Sequence, residues 1–139
     1  MQNDLFSEKG FVSGGILNLS PRDAWQECVE RHIVLVDVRE PYLTSYKLFD
    51  VPEVVYLPLS QLHERLNELP FDKPLILADS AGIRSHEAML VLLKRGYVNI
   101  ANLAGGLVEW ERDELPLKTN ISERLEGACA CKLKRRNKQ

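Results

Sequence analysis

Short apolar runs alternate with longer stretches of helical character along most of this chain. The runs Ile16–Leu19, Ile33–Val38, Val54–Leu57, Pro74–Ala78 and Val98–Leu103 are four to six residues long, a length that suits buried strands. Between them lie helix start and stop signals. Ser20-Pro21-Arg22-Asp23 combines a capping hydroxyl, a proline for the first helical position and an acid for the first turn, predicting a helix to about Arg31. Pro41 predicts a helical turn within Glu40–Tyr46, and Ser60 predicts a capped helix to about Leu69. From Ser85 to Arg95 the helix includes six successive apolar residues, Ala88 to Leu93, which predicts burial on most sides. Gly96 ends it. Gly105-Gly106 turns into a short helix bearing Trp110, and order is expected to fade after Pro116. This alternation predicts an α/β protein with a central parallel sheet of about five strands and helices on both faces. No internal repeat is visible.

One junction carries candidate chemistry. The strand Leu75–Ala78 runs into the polar loop Asp79-Ser80-Ala81-Gly82-Ile83-Arg84-Ser85 and then into an apolar helix. A strand–loop–helix junction of this kind points several backbone N–H groups into one small space, and the helix N-terminus adds partial positive charge. It forms a cradle for an anion. The residue facing the cradle is Asp79, a poor nucleophile. Ligands of open parallel sheets sit beyond the carboxyl ends of the strands. Asp37, Arg39, Gly105 and Gly106 also fall at strand ends, so they are expected at the same rim. Asp37 and Arg39 are read as locking a strand end to its neighbouring loops, and the glycines as positions of close backbone approach.

Four motifs carry a resemblance to a known family. Asp37-Val38-Arg39-Glu40-Pro41 matches a strand-end D-V-R-E-P. Val51-Pro52 with Val54-Val55-Tyr56-Leu57-Pro58 is similar to H-I-P-G-A-I-N-I-P, with Asp50 for His and Glu53 for Gly. Leu103-Ala104-Gly105-Gly106-Leu107-Val108-Glu109-Trp110 matches L-x-G-G-x-x-x-W, and Asp79 to Ser85 is similar to C-x-x-x-x-R-S. From about Ile16 to Leu117 the chain therefore resembles a single rhodanese (sulfurtransferase) domain. The resemblance implies the rhodanese-like three-layer fold. It divides the chain into a flexible segment 1–15, a domain 16–117 and a tail 118–139. It also implies that Asp79 stands where the family keeps the cysteine that carries persulfide sulfur. A carboxylate holds no sulfur, so no catalytic residue is expected in the loop, and Asp79 is read as filling the anion site and pairing with Arg84. Four residues separate Asp79 from Arg84, the family's sulfur-type spacing; phosphatases of this fold use a longer loop.

Composition is that of an ordinary globular protein, 45% hydrophobic and 27% charged. No run has the length of a membrane span. The polar residues Met1 to Gly15 and an odd count of three cysteines lead to the expectation of a cytoplasmic protein with reduced thiols. Charge is uneven. Lys132, Lys134, Arg135, Arg136 and Lys138 form a basic end. Setting them aside leaves 13 basic against 20 acidic residues, a net of −7 over residues 1–131. Beside them Cys129-Ala130-Cys131 forms a C-x-C pair whose adjacent cations favour thiolate.

Three functions compete on these grounds. The leading one is a rhodanese-like domain that is inactive as a sulfurtransferase and works as a binding or regulatory module for a protein partner or a small anion. The second is a sulfur carrier or transferase working through Cys129 and Cys131. The third is nucleic-acid or acidic-partner binding by the basic end, with nucleic acid the less favoured. His32, His63 and His86 are scattered and lack metal-site spacing, so neither a metal nor another cofactor is expected. Cys28 is read as core or half-buried, Trp25 and Trp110 as core.

Overall fold

The five apolar runs all become neighbours in one sheet. The computed structural model describes residue 6 and residues 9–44 and 46–119. Numbered along the chain, the strands are β1 (Phe11–Ser13), β2 (Ile16–Leu19), β3 (Val34–Asp37), β4 (Lys47–Phe49), β5 (Val54–Tyr56), β6 (Leu75–Ala78), β7 (Ile100–Leu103) and β8 (Leu117–Thr119). The helices are α1 (Pro21–Arg31), α2 (Pro41–Thr44), α3 (Leu62–Arg65), α4 (Ile83–Lys94) and α5 (Gly106–Arg112). The main sheet has the order β1-β2-β7-β6-β3-β5. From β2 to β5 every pairing is parallel; only β1 runs antiparallel, on β2.

Period-2 alternation divides the core between the two faces of the sheet. Leu35, Ile76, Ala78, Ala101 and Leu103 pack with Ala24 and Cys28 of α1 and Trp110 of α5. Val36, Leu77 and Ile100 pack on the other face with Leu62 of α3 and Ala88, Met89 and Leu92 of α4. The result is three layers, with β6 near the centre and its carboxyl end at one rim.

The structure corrects the sequence-based expectation at five places. The sheet gains a sixth strand, β1, whose exposed Phe11-Val12-Ser13 shows no buried alternation. Its signal is the Gly14-Gly15 pair, both at positive φ, which closes a two-residue hairpin. Order continues beyond Pro116, because Leu117–Thr119 pairs with Lys47–Phe49 in a separate two-stranded ribbon. The helix after the loop starts at Ile83 rather than Ser85, behind Gly82 at φ 95°. That helix is not buried on most sides: Leu90 and Leu93 are exposed, and Ser85, Ala88, Met89 and Leu92 form the buried stripe. Lying on one face of a sheet buries a single stripe however many apolar residues the helix holds. Finally, Ser60 caps no helix. Its amide and hydroxyl both donate to the Glu40 carboxylate, and the segment 59–68 is α3 flanked by 3₁₀ turns.

α1 forms as expected. The Ser20 hydroxyl accepts from the Asp23 amide at 3.2 Å, with Pro21 at the first position. The Trp110 indole N–H donates to the Pro116 carbonyl at 2.8 Å, so α5 is anchored to the segment that leads into β8.

Candidate functional site

The register that builds the sheet also builds the rim. Asp37 pairs with Ala78 across β3 and β6, which sets the Asp37–Arg39 turn beside the loop that starts at Asp79. On the other side β7 delivers Leu103, and α5 begins at Gly106.

The Asp79 carboxylate is only 3% exposed and turns into its own loop. Oδ1 accepts from the Gly82 amide in a short contact and from the Ser85 hydroxyl at 3.3 Å. Oδ2 accepts from the Arg84 amide at 2.8 Å. Two amides and a hydroxyl thus converge on one carboxylate, as they would on a bound anion. The expected Asp79–Arg84 ion pair is absent. Arg84 contributes its backbone N–H, while its side chain is exposed, because the helix begins two residues early and carries that side chain outward.

The loop's outer carbonyls are also engaged. Leu107 N–H donates to the Asp79 carbonyl at 2.9 Å and Val108 N–H to the Ser80 carbonyl at 3.0 Å. The first turn of α5 therefore grips the back of the loop. This approach requires Gly106: a Cβ there would lie 2.5 Å from the Asp79 carbonyl oxygen and 2.6 Å from the Ser80 carbonyl carbon and oxygen. At Gly82 an added Cβ would sit 3.1 Å from the Gly105 nitrogen.

Asp37 and Arg39 form a buried pair, 0% and 2% exposed. Arg39 Nη2 lies 2.8 Å from Asp37 Oδ2, and Nε lies 3.0 Å from Oδ1. The guanidinium also donates to the Leu43 and Lys47 carbonyls at 3.2 and 2.9 Å, and its carbon sits 5.4 Å from the Phe49 ring centre. Phe49 meets Trp110 edge-on at 5.1 Å. Arg39 thus ties the end of β3 to α2 and β4. The same side chain lines a depression of about 270 Å³ with Leu43, Asp79–Ala81, Ile83 and Arg84. Leu43 was missed from the sequence, where no pattern brings α2 to the loop.

The remaining candidates lie apart. The His86 ring rests against Gly14 of the β1–β2 hairpin; a Cβ on Gly14 would come within 2.7 Å of its Cε1. Trp25, expected in the core, is half-buried and packs against the α1-side core from its edge. Cys129, Cys131 and the basic end lie outside the described residues. Among the described residues no group of three or more His, Cys, Asp or Glu comes together to hold a metal, and no helix is long and apolar enough to cross a membrane.

Cys28 is fully buried on α1. Burial first, and then the Glu27 charge, push its thiol up from 9.0 to about 12. It is no nucleophile at neutral pH. From pH 9 upward the unfolded thiol ionises while the folded one keeps its proton until about 12. The stability Cys28 contributes is therefore complete below pH 9 and lost as pH rises through that window, by at most about 1.4 kcal/mol per unit. Tyr56 and Tyr97, both raised by burial, steepen the same alkaline limb. Denaturant melts between pH 8 and 11 should show a shallower decline for Cys28→Ala than for the parent; equal slopes would refute the assignment.

Asp79→Ala is expected to cost about 1–3 kcal/mol, since it leaves buried amides without an acceptor. Raising chloride or sulfate should restore part of that loss, stabilising the variant more than the parent. An Asp79→Ala protein as stable as the parent at every salt concentration would show that the carboxylate is not holding the loop.

The three layers and a strand–loop–helix junction at the sheet's carboxyl rim define an α/β protein whose loop donors close on the Asp79 carboxylate. Residues 20–113 match the rhodanese-like domain family, and the chain belongs to it. It is 30% identical over 102 residues to the thiosulfate sulfurtransferase GlpE of Haemophilus influenzae, covering 73% of this chain and 93% of that one. To a sulfurtransferase of Allochromatium vinosum it is 32% identical over 85 residues, 61% of this chain and 78% of the relative. Among solved structures it resembles a rhodanese-related protein of Thermoplasma volcanium. The TM-score is 0.65 at 25% identity, with 73% of this chain and 96% of that one covered. The polysulfide-sulfur transferase homodimer of Wolinella succinogenes gives 0.64 at 25% identity, over 84% and 83%.

Proposed function

We propose that this chain is a rhodanese-like binding or regulatory module that does not transfer sulfur through its loop, with Asp79 in the place of the sulfur-carrying cysteine. The observation that supports this reading is the occupancy of the cradle. The Gly82 and Arg84 amides and the Ser85 hydroxyl, which would otherwise stabilise an anionic sulfur, already serve the Asp79 carboxylate. The loop is built for an anion and supplies its own.

The test is turnover of thiosulfate and cyanide to sulfite and thiocyanate by the full chain, beside a form with all three cysteines replaced. No turnover is expected from either. Rates typical of sulfurtransferases that survive the triple replacement would overturn the reading. Asp79→Cys is expected to gain sulfur-accepting ability, its thiolate taking the sulfane sulfur of thiosulfate as sulfite leaves.

A second reading, sulfur carriage by Cys129 and Cys131, is favoured by one observation. Cys28 is buried and its thiol raised to about 12, so any sulfur carried at neutral pH falls to the two tail cysteines. Incubation with a persulfide donor then adds sulfur mass to a tryptic fragment holding both. We expect that fragment unmodified beside a positive control.

A further inference from the structure

Large apolar side chains are exposed on α2, α4 and α5, the three helices that border the loop. Tyr42 is 73% exposed and Leu43 37%, both on α2; Ile83 is 75% exposed at the start of α4, and Val108, whose amide holds Ser80, is 50% exposed on α5. Of these, Leu43 and Ile83 line the depression. Isolated exposed apolar residues need no explanation, but exposed apolar side chains of two elements that line one depression beside the loop mark an interaction surface.

The charges there select the occupant. Asp37 balances Arg39 within the core. Asp79 is turned into its loop amides, and Glu40 accepts from Ser60. Glu109 pairs with Arg112, and Lys47 with Glu111. Arg84 is exposed at the mouth and has no ion-pair partner among the described residues; Glu87, three residues on, lies beyond ion-pair distance. Among the described residues the lining is mostly apolar and Arg84 is its one unpaired cation, and the depression is too small for more than a side chain or two. We propose that it docks an acidic segment of a partner protein, with an aliphatic side chain entering between Leu43 and Ile83 and a carboxylate pairing with the Arg84 guanidinium. This rests on the reading above, in which Asp79 already fills the cradle and no anion need enter it.

The experiment titrates isotope-labelled full chain with the blocked peptide acetyl-Gly-Leu-Glu-Leu-Glu-Gly-amide and with its lysine-for-glutamate counterpart, read by amide chemical shifts. Shifts are expected at residues 42–43, 79–85 and 107–108, with the acidic peptide bound at least about tenfold more tightly than the basic one. Arg84→Glu should reverse that preference and keep the fold, since only the Arg84 amide holds the loop. Ile83→Asp should weaken the acidic peptide by about fivefold or more. Four results overturn the proposal: no shifts at this face, equal binding of the two peptides, the same shifts with acetate alone, or the same shifts on concentrating the protein without peptide. The last two point to a small-anion site and to a second copy of the chain. Turnover measured on the same preparations keeps the two readings separable. Sulfur transfer without cysteines defeats the inactive-loop reading whatever the peptides do. Peptide failure without turnover defeats only the docking.

Discussion

Gly106→Ala is expected to destabilise the protein by more than about 3 kcal/mol, the range in which backbone clashes and special φ values combine. The backbone there has φ 60°, which alone costs an alanine about 1 kcal/mol. The larger part is contact. The new Cβ would sit 2.5–2.6 Å from carbonyl atoms of Asp79 and Ser80, and backbone has no rotamer to which it can retreat. Relief requires α5 to lift from the loop, which breaks the hydrogen bonds that the Leu107 and Val108 N–H groups donate to it and disturbs Trp110 in the core. Gly15→Ala is the control. Its φ is 80°, and an added Cβ meets nothing within 4 Å. Equilibrium denaturation should therefore show a loss of about 1 kcal/mol at Gly15 and several times that at Gly106. Equal losses would mean that φ, and not the grip of α5 on the loop, explains both glycines.

Arg39→Ala is expected to cost about 3–5 kcal/mol, because it leaves the Asp37 carboxylate buried without its partner. The burial of both residues decides the magnitude. The Lys47–Glu111 pair has the same chemistry at 2.7 Å but is 36% and 49% exposed, and removing it should cost less than about 1 kcal/mol. The Asp37→Leu/Arg39→Ala double variant should be more stable than Arg39→Ala alone, since the stranded charge is gone. It should not recover fully, as the Leu43 and Lys47 carbonyls still lose their donor. A double variant no better than the single would place the cost in those carbonyl bonds.

The fold class was legible in the sequence because each element announces itself locally. Several runs of four to six apolar residues alternating with helix signals suit a parallel sheet covered by helices, and Ser20-Pro21-Arg22-Asp23 combines a cap, a first-position proline and a first-turn acid in one place. The strand–loop–helix junction at Asp79 was legible for the same reason. The strand β1 was not, because an edge strand exposed along its length shows no alternation. Nor was the β4–β8 ribbon, whose partners lie some seventy positions apart.

What the sequence determined by itself is the alternation of the five buried strands with their helices and the identity of the residue at the loop: with aspartate at position 79 the loop carries a carboxylate and no thiol. Tertiary structure decided which groups serve that anion. The early start of α4 gives Asp79 the Arg84 amide and sends the guanidinium into solvent. The close approach of α5, which only a glycine at 106 permits, fixes the loop from behind. The arrival of α2 beside the loop adds Leu43 to the depression that Ile83 also lines. Each depends on where separate elements pack, and packing is set by all the residues of two faces together rather than by any local pattern.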